Sequence, residues 1–108
     1  RIYTMTNSDK KILIVEDEAS LCEMLVTVLE DEGYHVDSAS NGNEALELMS
    51  RNEYNLLATD LYMPVMNGFD LILASKNNFP NTKIILFSGG GRDFEGENGD
   101  SLVKFKDQ

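Results

Sequence analysis

Four polar residues stand where apolar runs stop, and between them they can do one kind of chemistry. Glu16 and Asp17 close Ile12-Leu13-Ile14-Val15, Asp60 follows Leu56-Leu57-Ala58, and Ser88 closes Ile84-Ile85-Leu86-Phe87. Three carboxylates brought together raise one another's pKa and burden the fold unless a cation sits among them. Carboxylate, carbonyl and water suit a hard divalent ion, and Mg²⁺ keeps several waters in near-octahedral geometry. Soft-metal donors are not at hand, because His35 and Cys22 lie elsewhere in the sequence. A carboxylate can also act as a nucleophile toward phosphorus, giving an aspartyl phosphate. The ion would then offset charge on the phosphoryl oxygens, and the protein would position and stabilise. A hydrogen bond from the Ser88 hydroxyl to a phosphoryl oxygen would exist only in the modified state, which makes a switch.

The flanking pattern supplies the frame. Ile12–Val15, Leu56–Ala58 and Ile84–Phe87 are apolar on both faces, the mark of parallel strands covered on both sides. Tyr34–Ala39 mixes charge and hydroxyl with apolar residues and reads as a half-exposed edge strand. Between them, Leu21, Met24, Leu25, Val28 and Leu29 recur at helical spacing, ending at Gly33. Ala45, Leu46, Leu48 and Met49 follow the capping stretch Asn41-Gly42-Asn43. A third helix is predicted over about residues 69–76, after a loop holding Pro64 and Gly68. Strands alternating with helices predict an α/β, flavodoxin-like parallel sheet with right-handed crossovers. Its order is 2-1-3-4, with the ligand site at the switch point beyond the carboxyl ends of strands one and three. That geometry gathers Glu16, Asp17, Asp60 and Ser88 on one rim, although Asp17 and Asp60 lie far apart along the chain.

The C-terminal part does not close this frame. The glycine-rich stretch Ser88–Gly99 reads as a mobile loop, and Ser101–Gln108 as at most about two helical turns. No fifth strand is predicted to cover the outer side of strand four, and helix one covers its face of the sheet alone. Two explanations follow: the last βα unit is missing, which is favoured here, or a second molecule covers the gap in a homodimer through the strand-four side.

With Glu16-Asp17, Asp60-Leu61-Tyr62-Met63-Pro64, Gly68 and Ser88 in this order, residues 10–90 resemble a response-regulator receiver domain of the chemotaxis-regulator type. The resemblance implies that Asp60 is the phosphorylated aspartate and that Asp17, Asp60 and the backbone carbonyl of Tyr62 ligate Mg²⁺. It implies that Glu16 completes the acidic pocket and that Ser88 is the switch hydroxyl. The phosphodonor would be a histidine kinase or phosphotransfer protein, and the state would be relayed to an output partner that the sequence does not identify. Residues 1–9 are then a flexible N-terminal segment, with Met5 a candidate native start, and residues 10–108 a receiver domain incomplete at its C-terminus. The chain would modify and demodify itself but turn over no separate substrate. Receivers usually carry a lysine, commonly followed by proline, at the end of a fifth strand. No Lys-Pro occurs here, and Lys104 and Lys106 fall in what would be the fourth helix. Poor phosphorylation of the chain as it stands is therefore expected.

Composition bounds the alternatives. The chain has 108 residues, 42% hydrophobic and 26% charged, which is one soluble domain's worth. Nineteen acids against nine bases give a net charge of −10, which argues against direct nucleic-acid or membrane binding. One cysteine excludes an internal disulfide framework, and no apolar run or leader points away from the cytoplasm. Cys22, Met24 and Met49 read as packing residues, and His35 as a plain edge-strand residue. Tyr62 either tunes the access of attacking water or is a surface aromatic. The spacing of Gly91 and Gly96 imitates a phosphate-binding loop, but Glu97-Asn98 stand where Lys-Ser/Thr is needed. An Mg²⁺-dependent phosphatase of the haloacid-dehalogenase type wants a second aspartate at position 62. A flavodoxin proper would have to bring a flavin phosphate to an acidic rim. A receiver-like binding module that is never phosphorylated is the remaining rival.

Overall fold

The computed structural model describes residues 9–63, 65–87 and 104–106. Five strands form one sheet in the order β2-β1-β3-β4-β5. The first four are β1 (Lys11–Val15), β2 (His35–Ala39), β3 (Leu56–Asp60) and β4 (Lys83–Phe87), all parallel to one another. The intervening helices are α1 (Ala19–Asp31), α2 (Gly42–Arg51) and α3 (Gly68–Asn78). This is the flavodoxin-like frame, with the switch point between β1 and β3 as the strand character predicted.

The period-two alternation of the buried strands sorts the core into two layers. Leu13, Val15 and Leu57 pack with Ala45, Met49, Leu71 and Ile72 under α2 and α3. Ile12, Ile14 and Ala58 pack on the other face against Cys22, Leu25, Val26 and Leu29 of α1. Leu13 and Leu57 are fully buried and in register with each other. Each such leucine contributes about 1.5–3 kcal/mol through its removal from water. Tyr54 closes the lower end of the sheet. Its hydroxyl donates to Asp37 Oδ2 at 2.6 Å, while Lys11 Nζ lies 3.6 Å from the same oxygen. Burial, then the Asp37 carboxylate, push the Tyr54 hydroxyl above the usual tyrosine range.

Three expectations change. First, β4 is not left without a neighbour, because β5 (Lys104–Lys106) pairs with it antiparallel, Leu86 opposite Lys104 and Ile84 opposite Lys106. A short strand thus occupies part of the segment expected as helix, taking up backbone groups that an open edge leaves unpaired. Second, the sheet-facing stripe of α1 is Cys22, Leu25, Val26 and Leu29, whereas Met24 and Val28 are each 54% exposed. The apolar arc of α1 is wider than the strip of sheet it covers, so one flank stays in water. Third, α3 runs two residues longer than the apolar pattern suggests, through Asn77 and Asn78. The predicted loop Ser88–Gly99 lies outside the described residues, as does Ser88 itself.

Candidate functional site

Register brings the acidic residues together. Val15 pairs with Thr59, so the next residues outward, Glu16 and Asp60, leave adjacent strands side by side. The ladder continues past the strand ends, with Glu16 N–H donating to Ala39 O at 3.1 Å and Leu61 N–H to Phe87 O at 3.0 Å. One carboxylate oxygen each of Glu16, Asp17 and Asp60 lies within 4.8 Å of the other two. The convergence read from the sequence is therefore present for these three. Glu16 and Asp60 are buried, at 2% and 1% exposure, and Asp17 faces solvent.

Asp60 is held from several sides. Its Oδ1 accepts from the Tyr62 N–H at 3.3 Å, and its carbonyl accepts from the Thr59 hydroxyl at 3.0 Å. Gly68 opens α3 directly against this turn, its N–H donating to Leu61 O at 2.9 Å. A Cβ at Gly68 would stand 2.6 Å from the Asp60 carbonyl oxygen and 2.9 Å from Leu61 Cα, a contact with backbone that no side-chain adjustment relieves. Asn67 caps the helix there, its side chain accepting from Asp70 N–H at 2.9 Å. Tyr62 is 38% exposed, and its backbone sits beside the Asp60 carboxylate.

Glu16 is only half satisfied. Its Oε2 accepts from Glu18 N–H at 3.0 Å, but Oε1 is buried with no hydrogen-bond partner. Burial, with the neighbouring Asp60 and Asp17 carboxylates, pushes its carboxyl up to about 7, although the Glu18 N–H favours the charged form. An orphaned carboxylate oxygen beside two further carboxylates is a donor set made for a hard cation. Among the described residues, Glu16, Asp17 and Asp60 are the group of acidic or thiol side chains close enough to share one ion.

The other sequence candidates fall outside it. His35 is exposed at the start of the edge strand β2. Cys22 packs half-buried against the sheet, where burial raises its thiol pKa and disfavours the thiolate. Met49 is core, as expected, and Met24 is not. The sequence carries no sign that Met66 sits against Gly42, where a Cβ would lie 2.6 Å from Met66 Sδ, because no spacing rule connects the β3–α3 loop with the start of α2.

A family model described as the response regulator receiver domain matches residues 12–99, and the chain belongs to that family. The response regulator receiver protein CpdR of Brucella abortus is 38% identical over 80 residues, covering 74% of this chain and 67% of CpdR. The chemotaxis protein CheY of Thermotoga maritima is 38% identical over 84 residues, covering 77% of this chain and 70% of CheY. The transcriptional regulatory protein CpxR homolog of Haemophilus influenzae is 35% identical over 85 residues, covering 79% of this chain but only 37% of that relative. Among solved structures, the response regulator TrrA of Thermotoga maritima, in complex with Mg²⁺-BeF, superposes with a TM-score of 0.72 at 35% identity. That match covers 76% of this chain and 71% of TrrA. Receiver domains are signalling modules rather than classical enzymes, and they bind Mg²⁺ at an acidic pocket.

Proposed function

We propose that this chain is a phosphoacceptor: it takes a phosphoryl group from a histidine kinase or phosphotransfer protein onto Asp60 and relays that state to a partner or output domain. The observation that carries the reading is the convergence of Asp60, Asp17 and Glu16 within 4.8 Å at the carboxyl ends of β1 and β3. We read residues 10–108 as the receiver and the cytoplasm as its compartment.

A carboxylate oxygen of Asp60 attacks phosphorus, a P–O bond forms, and the P–N bond to the donor imidazole breaks, the imidazole leaving with its electron pair and taking up a proton. Asp17, Asp60 and the Tyr62 carbonyl would hold Mg²⁺, with Glu16 completing the pocket. When bound, the ion supplies charge compensation for the phosphoryl oxygens. The chain's own part is positional. The Tyr62 N–H orients the Asp60 carboxylate, and Gly68 lets the loop close against its backbone. Asp60 pairs with Phe87, and Ser88 follows Phe87 in the sequence, which supports its reading as the hydroxyl that reports the phosphoryl group.

Incubation with a small phosphodonor and Mg²⁺, followed by intact-mass measurement, tests the reading. The natural chain should take up a phosphoryl group slowly and only in part, as expected without the fifth-strand lysine, and Asp60→Asn should take up none. Equal labelling of the two would refute Asp60 as the acceptor, and no labelling at all would leave the unphosphorylated binding module as the better account.

A further inference from the structure

The loop that carries Tyr62 is fixed at both ends by the turn at Asp60 and the cap at Asn67, yet its middle needs an anchor of its own. Met63 supplies one by inserting into the core under α2 and α3, 7% exposed. Met66 supplies another, on a different element. A Cβ built on Gly42 would lie 2.6 Å from Met66 Sδ and 2.8 Å from its Cβ and Cγ. The whole Met66 side chain therefore lies over the bare Cα of the first residue of α2.

That platform is rigid. Asn41 caps α2 by accepting from Glu44 N–H at 2.9 Å, and Glu44 Oε1 accepts in return from Ser40 N–H at 2.7 Å and Ser40 Oγ at 3.0 Å. Four orphan N–H groups open a helix, and these bonds hold that end in one geometry. Gly42 itself is buried beneath Met66.

We infer that Met66, seated on Gly42, is a positioning residue for the metal site, holding the β3–α3 loop where the Tyr62 carbonyl can serve the cation. The inference rests on the metal reading above and adds a residue that touches neither ion nor phosphoryl group. Because the close contacts include the Cβ of Met66, a methyl at position 42 cannot be accommodated by swinging the thioether tip. The loop backbone has to move. Removing the methionine leaves the loop in place but unanchored. Supporting groups outside the ligands orient them, and their loss typically weakens metal binding by about ten-fold or more.

The test is Mg²⁺ affinity, followed by amide chemical shifts in the full chain, for Gly42→Ala, Met66→Ala, the double variant and Met66→Leu. Both single variants should bind about ten-fold more weakly, with far-ultraviolet dichroism unchanged before metal is added. The double variant should be no worse than the weaker single one, since both act through one contact. Met66→Leu, which still covers Gly42, should stay within about two-fold of the natural chain. Natural-chain affinity in both single variants, or additive losses in the double, would overturn the inference while leaving the metal site standing. Should Gly42→Ala fail to fold, Met66→Ala against Met66→Leu decides alone. A natural chain that binds no Mg²⁺ would overturn the metal reading and this inference together.

Discussion

An ionised carboxylate that is 2% exposed, with one oxygen lacking a partner, is costly to keep charged, and Glu16 is such a group. Folding carries its carboxyl from an ordinary value of 4.5 to about 7, chiefly by burial and then by the charges of Asp60 and Asp17. Between those two values the folded chain holds a proton that the unfolded chain has released. In the absence of metal, stability should therefore fall as pH rises from about 4.5 through about 7, and stay lowered above it. Glu16→Gln removes this contribution. Urea unfolding in chelator across that pH range should show a flatter profile for the variant than for the natural chain, the difference isolating Glu16 from other carboxylates. Parallel profiles would mean that Glu16 is not titrating as its surroundings dictate. At neutral pH a divalent ion should offset the same cost, so the residue that destabilises the bare fold also favours the loaded one.

At the scale of elements, β1 and β3 deliver the acidic residues to the rim at their carboxyl ends and bury most of their own length. α3 carries Ser75, whose hydroxyl is fully buried with no hydrogen-bond partner. Beside Leu71 and Ile72 on the buried side of the helix, that hydroxyl is desolvated for nothing. Ser75→Ala should raise stability by about 1 kcal/mol, helped by the better helix propensity of alanine. A higher urea midpoint at unchanged slope would show it, and a lower midpoint would reveal a hydrogen bond that the folded chain makes after all. The same logic explains what could be read from the sequence. β1, β3 and β4 are legible because burial on both faces leaves a run with no polar residue, and the carboxylates were legible because they interrupt such runs. The sheet-facing side of α1 was not, since seven apolar residues in nine positions from Leu21 to Leu29 give no unique stripe. β5 was hidden because three residues of Lys-Phe-Lys carry no period of their own and pair only where an edge is offered. The Met66–Gly42 contact joins the β3–α3 loop to the first residue of α2, and contacts of that kind depend on the assembled fold.

At the scale of the whole molecule, the basic residues described on β1, β4, α2 and α3 are sorted by the direction of the chain. Lys10, Lys11 and Lys83 stand at the beginnings of strands, and Arg51 and Lys76 in the last turns of α2 and α3. In a parallel sheet with antiparallel helices, all of these lie at the end opposite the carboxylates, where they also meet the negative ends of the helix dipoles. The rim with Glu16, Asp17 and Asp60 is thus left without a cation from these elements, in a chain of net charge −10. A phosphoryl group arriving there would add negative charge to a field already negative, so the account requires an ion from solution. No helix among the described residues is long and apolar enough to cross a membrane. The most direct test is fluorine NMR of the chain with beryllium, fluoride and Mg²⁺, which together imitate an acyl phosphate. The account predicts bound fluorine signals that appear with the natural chain, vanish with chelator, and never form with Asp60→Asn. Absence of those signals from the natural chain, or their persistence in Asp60→Asn, would contradict it.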